Sequence, residues 1–182
     1  KAHHACRDPE FRQALAWAVD LQKGVDLVWL GYSPPGTTII PPNYYKDPDW
    51  HWEPPDVVRD TYDPEKAKQL LDAAGYPDSD GDGVREYEGE PIELSLIART
   101  ESNESQQYAK LFSGWFNDGR IKVKSEVMDE GALMDRQYEY DKNDVFTPNY
   151  DMFLWGWYLD FDPGSMLNYF TEEQIESWSD CN

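Results

Sequence analysis

The sequence predicts an α/β fold whose sheet is mostly parallel. Two segments alternate apolar and polar residues as strands do: IELSLIAR at 92–99 and IKVKSEV at 121–127. A third segment, MFLWGW at 152–157, is a continuous apolar run of the kind found in buried strands. Helical patterns separate the three segments, and strand, helix, strand, helix, strand is the order of a parallel sheet with helical crossovers.

The composition is that of a folded, acidic domain. A chain of 182 residues that is 40% hydrophobic and 15% aromatic can bury a core, which excludes a disordered chain. The formal net charge of −20 disfavours nucleic acid and anionic membranes as partners and suits cationic ligands. No stretch approaches the roughly 18 apolar residues of a membrane span. We therefore expect one domain over residues 1–182.

Two cysteines lie near opposite ends of the chain, at Cys6 and Cys181. The termini of compact domains are often close together, so one disulfide that closes the domain is one possibility. Two separate thiols fit the sequence equally well, because the distance between the sulfurs cannot be read from it. The cysteines therefore do not indicate whether the protein resides in an oxidising or a reducing compartment.

Two helices are predicted near the start of the chain. The first begins with a capping Asp8 and a first-turn Pro9, and the second is capped by Asp20 and ends at Gly31. Gly24 lowers the helix propensity of the second. The first helix has apolar residues at helical spacing: Phe11, Ala14, Leu15 and Ala18.

The segment 32–62 contains seven prolines and many aromatic residues. Proline interrupts both helices and sheet ladders, so we predict an irregular segment. Because the aromatic side chains favour burial, we expect an ordered loop that wraps the domain rather than the alternative, an exposed linker. We expect His51, which lies between two tryptophans, to be packed rather than to bind a metal.

Three further helices follow this loop. One begins at the capping Asp63 and ends at Gly75, and the next spans about 103–117 and ends at Gly119. A shorter one is predicted at 132–138. The inner face of the helix at 103–117 is predicted to be apolar: Tyr108, Leu111, Phe112, Trp115 and Phe116.

The strand predicted at 152–157 is followed by two carboxylates, Asp160 and Asp162. We interpret it as the central strand of the sheet, and ligands of open α/β sheets lie beyond the carboxyl ends of the strands. A carboxylate beside Trp157 and Tyr158 suits a cation such as a peptide amino terminus. The alternative is that the aromatic residues belong to the core and one of the aspartates caps the following helix.

The segment PDSDGDGVRE resembles the start of a calcium-binding loop, with oxygen ligands at alternate positions and Gly83 at the sixth. The twelfth position departs from the pattern, because Gly89 replaces the bidentate glutamate. A solvated Asp-Gly turn is the alternative. If a structural calcium ion binds, the predicted ligands are Asp78, Asp80, Asp82, the carbonyl of Val84, and Glu86.

Three stretches together resemble the extracytoplasmic solute-binding proteins of peptide-type ABC importers, whose relatives also capture nickel complexes and small glycans. They are FRQALAWAVDLQKGVDLVWLG, YDPEKAKQLLDAAGYPDSDGDGVREYEGEPIELSL and YDMFLWGWYLDFDP. Their order matches that of the family, and the resemblance covers most of the chain from Phe11 to Phe170.

The resemblance implies one lobe of a type II periplasmic-binding-protein fold, with a mixed or parallel sheet flanked by helices. It covers only the second, ligand-closing lobe of a two-lobed protein, and so implies half of a binding site. It also implies a small peptide or another small solute as ligand, the membrane permease of an ABC importer as partner, and a periplasmic or lipid-anchored extracytoplasmic location. Asp160 is similar to the aspartate that pairs with a peptide's α-ammonium group, and Trp157 to the aromatic wall of a side-chain pocket.

The sequence leaves two other functions open. Asp160 and Asp162 could serve as the paired carboxylates of a glycoside hydrolase, but no catalytic triad, phosphate loop or zinc motif accompanies them. We therefore expect no enzyme and no required cofactor. The aspartate loop suggests the other alternative, a calcium-stabilised extracellular interaction module.

Overall fold

The computed structural model describes residues 3–41, 51–55, 61–156, 162–168 and 171. Backbone packing divides the chain into two compact units, each built from separated segments. One comprises Lys1–Pro34 with Asp60–Trp155, and the other Pro35–Arg59 with Gly156–Asn182. The expectation of a single lobe over residues 1–182 stays a prediction.

A short 3₁₀ turn at His4–Arg7 precedes the helices that the structure describes. None of these helices combines the length and the apolar composition that crossing a membrane requires. The helices are α1 (Pro9–Trp17), α2 (Leu21–Val28), α3 (Pro64–Ala73), α4 (Asn103–Asp118), α5 (Glu130–Gln137) and α6 (Pro163–Leu167).

The predicted helix caps are confirmed. Asp8 Oδ1 accepts a hydrogen bond of 2.9 Å from the amide of Glu10, and Asp20 and Asp63 cap α2 and α3 in the same way. The start predicted for the short fifth helix was two residues late. Asp129 caps α5, so that Glu130 enters its first turn, where a carboxylate favours the helix dipole.

The main sheet contains β3 (Glu93–Arg99), β4 (Lys122–Met128) and β5 (Met152–Phe153). Both pairings are parallel, and the strand order is β4-β3-β5. This confirms the parallel sheet with helical crossovers. A separate antiparallel hairpin joins β1 (Glu86–Tyr87) and β2 (Glu90–Pro91).

Among the described strands β3 is central and β5 lies at the edge, whereas the sequence predicted that the Tyr150 strand is central. β5 has two residues and pairs only with β3 among the described strands, and Met152 to Trp155 are half-buried. β3 is covered on both faces, because Leu96 packs with Ala109 of α4 and Ile97 packs with Leu133 of α5. Hydrogen bonds on both edges and helices on both faces explain its burial.

The main core joins α1, α3, α4 and the start of β3. Its buried apolar members pack around Phe11 and Leu71, both almost fully enclosed. The remaining large members are Tyr76, Ile92, Leu94, Phe116 and Ile121. These residues fix the ends of α3 and α4 beside the aspartate loop, which follows Pro77.

Within 32–62 the described residues form neither helix nor strand, as predicted. His51 is held by polar neighbours: Nδ1 lies 2.6 Å from the carbonyl of Ile40, and Nε2 lies 2.9 Å from Glu53 Oε2. The hydrogen bond to Glu53 is the main reason why the pKa of His51 is raised. These contacts agree with a packed histidine. Residues 42–50 and 56–60 lie outside the described part of the chain, so the wrapping of the loop stays a prediction.

Candidate functional site

The carboxyl end of the sheet is the first candidate site. The three parallel strands end at Arg99, Met128 and Phe153. The amide of Leu154 donates to the carbonyl of Ile97 at 3.0 Å, which keeps the chain beside β3 past the end of β5. The sequence predicts ligand contacts in the residues that follow this strand end along the chain.

Trp157, Tyr158 and Asp160, the predicted ligand-binding residues, lie outside the described residues, so their role stays a prediction. Asp162 is described. Its Oδ1 accepts a hydrogen bond of 2.8 Å from the amide of Gly164 and caps α6. Asp162 thus has the capping role that the sequence left open for one of the two aspartates.

Sequence reasoning missed Arg99, the last residue of β3. Its guanidinium carbon lies 4.3 Å from the centre of the Trp155 ring, and Nη1 donates to Glu130 Oε2 at 3.0 Å. The side chain is 22% exposed, and Nε is buried without a hydrogen-bond partner among the described residues. The cation-π contact fixes the Trp155 ring two residues before Trp157. The strand-end rule, applied to β3 as well as to the Tyr150 strand, would have identified Arg99.

The aspartate loop is the second candidate site. One carboxylate oxygen from each of Asp78, Asp80, Asp82 and Glu86 lies within 4.8 Å of the others. The fold thus brings together four of the five predicted metal ligands. Glu86 is buried, whereas Asp80 and Asp82 are exposed. For Val84, the fifth, the described contact is its amide, which donates to Asp82 Oδ1 at 2.8 Å.

Arg85 anchors this loop to the ends of two helices. Its side chain is almost completely buried and donates to Asp72 Oδ1 at 2.6 Å and to the carbonyl of Gly119 at 3.1 Å. It also donates to the carbonyls of Tyr76 and Lys68. A buried arginine with four hydrogen-bond partners holds the loop in one conformation.

The loop continues into the β1-β2 hairpin and not into a helix. Glu88 and Gly89 have φ values of +54° and +84°, the left-handed pair of a tight hairpin turn. Glu86 therefore begins a strand, and the turn at Gly89 occupies the position of the twelfth ligand of a calcium loop. Any ion bound here would lack that bidentate glutamate.

A cavity of about 380 Å³ lies next to the loop, between the side chains of α3 and those of Asp78 and Arg120. Acidic, basic and amide side chains form most of its wall, among them Glu65 and Lys68. Small-molecule sites are usually lined by apolar and aromatic groups. This cavity therefore lacks the lining expected of a pocket for an apolar peptide side chain.

Comparison with known proteins identifies the chain. Residues 2–177 match the profile of a family described as bacterial extracellular solute-binding proteins, family 5 Middle. The chain belongs to this family. The resemblance seen in the three sequence stretches is thereby confirmed, and the family is one of binding proteins rather than of enzymes.

Three proteins illustrate the similarity. The oligopeptide-binding protein AppA of Bacillus subtilis is 27% identical over 177 residues, which are 93% of this chain. Its solved structure with a nonapeptide superimposes with a TM-score of 0.69 over 85% of this chain, at 25% identity. The glutathione-binding protein GsiB of Salmonella typhimurium is 38% identical over 72 residues, 39% of this chain and 12% of GsiB.

NikZ of Campylobacter jejuni, solved with Ni(L-His), covers 97% of this chain with a TM-score of 0.75 at 22% identity and so shows the fold alone. The chain has the predicted fold, part of a type II periplasmic binding protein with a parallel sheet and flanking helices. It spans 29% of AppA and 33% of NikZ. Similarity over this part of the relatives' length does not establish the ligand or the partners of the whole protein.

Proposed function

We propose that this chain is the ligand-closing lobe of a peptide-binding receptor that delivers its ligand to the permease of an ABC importer. The observation that carries the proposal is the family match over residues 2–177 together with the alignment of AppA, an oligopeptide-binding protein, to 93% of the chain. The net charge of −20 supports a ligand with a cationic group. The receptor acts outside the cytoplasm, in a periplasm or as a surface lipoprotein.

Asp160 is the residue that we assign to the α-ammonium group of the peptide, with Trp157 and Tyr158 as walls of the adjacent pocket. The contact between Arg99 and Trp155 supports this assignment, because it fixes the chain that enters the segment. A charge-assisted pair closed off from water contributes roughly 1.5–3 kcal/mol net. Asp162 caps α6 and needs no ligand to explain it.

Native mass spectrometry of the intact protein, purified without refolding, tests this proposal. We expect a ladder of short-peptide masses on the wild type and its loss in Asp160→Asn. Asp162→Asn is the matched control, since it removes the same charge two residues away and asparagine also caps helices well. The control should keep the ladder.

The proposal fails if one fixed non-peptide mass survives Asp160→Asn. That result would make the protein a receptor for a glycan or a metal complex and would leave Asp160 a structural role. Peptide masses that disappear equally in both variants would assign the effect to the local fold rather than to the ion pair.

A further inference from the structure

We propose that the aspartate loop binds one calcium ion through the carboxylates of Asp78, Asp80, Asp82 and Glu86. The four side chains each bring one oxygen to within 4.8 Å of the others. Two oxygens bound to the same calcium at 2.3–2.6 Å can be at most about 5 Å apart, so this spacing suits a single ion. The proposal does not depend on which ligand the receptor carries.

Asp78 provides an observation that the clustering of exposed acids does not. Its side chain is only 7% exposed, and Oδ2 accepts a hydrogen bond of 2.9 Å from Nη1 of Arg120. The other oxygen, Oδ1, is buried and has no hydrogen-bond partner among the described residues. Burying a carboxylate oxygen without a partner is costly, and a bound cation would supply the missing interaction.

The local charges also favour a cation. Four carboxylates share this small volume, and their described ion pair is the one between Asp78 and Arg120. The guanidinium of Arg85 points elsewhere, to Asp72 and to backbone carbonyls. The group therefore keeps a surplus of negative charge, and a divalent ion would remove most of the repulsion within it.

The ligand chemistry selects a hard cation. All four side chains are carboxylates, which suit calcium or magnesium rather than zinc or copper. Calcium tolerates irregular coordination by six to eight oxygens, whereas magnesium requires a near-ideal octahedron. The exposed sides of Asp80 and Asp82 leave room for water to complete such a shell.

The turn at Gly89 sets the expected affinity. Without a bidentate glutamate at the twelfth position, the site should bind at the weak end of the calcium range, with Kd about 0.1–1 mM. That range is typical of extracellular modules. It also agrees with membership of a family of extracellular proteins.

Isothermal titration of the intact protein with CaCl₂, after removal of metals with EDTA and dialysis, tests the proposal. We expect a single saturable site for calcium, with magnesium at least tenfold weaker. The double variant Asp80→Asn and Asp82→Asn should lose at least tenfold in calcium affinity. Asp135→Asn, which removes one exposed carboxylate from α5, is the control and should bind calcium as the wild type does.

Melting in EDTA separates binding from folding. The double variant should melt there at or above the wild-type temperature, because two repelling charges have been removed. The proposal is overturned if calcium gives no saturable heat up to about 10 mM, or if the double variant binds it unchanged. It is also overturned if the double variant melts below the wild type by the same amount in EDTA and in calcium. The aspartates would then act through hydrogen bonds in the loop.

Discussion

The hydroxyl of Tyr76 donates a hydrogen bond of 2.6 Å to Asp8 Oδ2, which joins residues 68 positions apart. The other oxygen of Asp8 accepts from the amide of Glu10 and caps α1. The Tyr76 ring is buried against Phe11, with 4.9 Å between the ring centroids. One carboxylate thus ties the start of α1 to the segment between α3 and the aspartate loop.

This contact predicts a loss of stability in acid. The bond from Tyr76 is the first cause, and that from Glu10 the second, of a lowered pKa for Asp8. A lowered pKa in the folded state stabilises the protein above the ordinary value of about 3.9, and the stabilisation is lost as the pH falls through the folded-state pKa. We expect the melting temperature measured by calorimetry to decline below about pH 4.

Tyr76→Phe should reduce both the stability and its dependence on acid. The ring remains in the core while the hydrogen bond is lost, so the melting temperature at pH 7 should fall by a few degrees. The decline below pH 4 should become shallower. Tyr140→Phe, at a half-exposed tyrosine, is the control. An unchanged acid profile in Tyr76→Phe would show that other carboxylates dominate the response.

Gly24→Ala should destabilise the protein although alanine is the better helix former. A Cβ at position 24 would lie 2.8 Å from Cε1 of Tyr108 on α4, closer than such contacts allow. We expect overpacking of about 1–3 kcal/mol to exceed the gain of about 1 kcal/mol in helix propensity. Gly114→Ala is the matched control, because nothing lies within 4 Å of its added Cβ.

Urea unfolding of the two glycine variants measures the difference. Gly114→Ala should gain about 0.5–1 kcal/mol, since it changes an exposed position inside α4. The same gain in Gly24→Ala would mean that Tyr108 moves aside without cost and that the two helices pack loosely at this point.

Arg85→Lys should cost about 2–4 kcal/mol of unfolding free energy, because a lysine cannot reach the several carbonyls that the guanidinium satisfies. Urea unfolding is the measurement. Arg12→Lys is the control: Arg12 donates one exposed hydrogen bond to the carbonyl of Cys6, and its loss should stay within about 1 kcal/mol. Equal effects in both variants would contradict the anchoring role of Arg85.

The helices could be predicted from the sequence because their signals are local. The Asp-Pro pairs at Asp8 and Asp63 contain the cap and the first turn within three residues, and both caps form. Strand order depends on partners distant in the chain, and a continuous apolar run such as 152–157 does not show whether its strand is central or at an edge. The adjacent apolar residues Leu96 and Ile97 were the available sign that β3 is buried on both faces.

The candidate sites also combine features with local sequence signals and features that depend on distant residues. The four carboxylates of the aspartate loop lie within nine residues, so their convergence could be predicted from spacing. The contact of Arg120 with Asp78 spans 42 residues and could not be predicted from spacing, because it depends on how the end of α4 packs beside the loop. The position of Arg99 at the end of β3 could be predicted from the strand-end rule, but its contacts with Trp155 and Glu130 could not, because these partners come from other elements.

Calcium removal distinguishes a local structural ion from a calcium-dependent module. An ion that binds one loop stabilises the fold by RT ln(1 + [Ca]/Kd), which is roughly 0.4–1.4 kcal/mol at about 1 mM calcium and the expected Kd of about 0.1–1 mM. We therefore expect EDTA to lower the melting temperature of the intact protein by only a few degrees and to leave its far-UV circular dichroism unchanged at 25 °C. The core around Phe11 and Leu71 does not include the loop, which is why the rest of the fold should persist. Outright unfolding by the chelator, reversed by calcium and not by magnesium, would instead favour a module that depends on calcium for its fold.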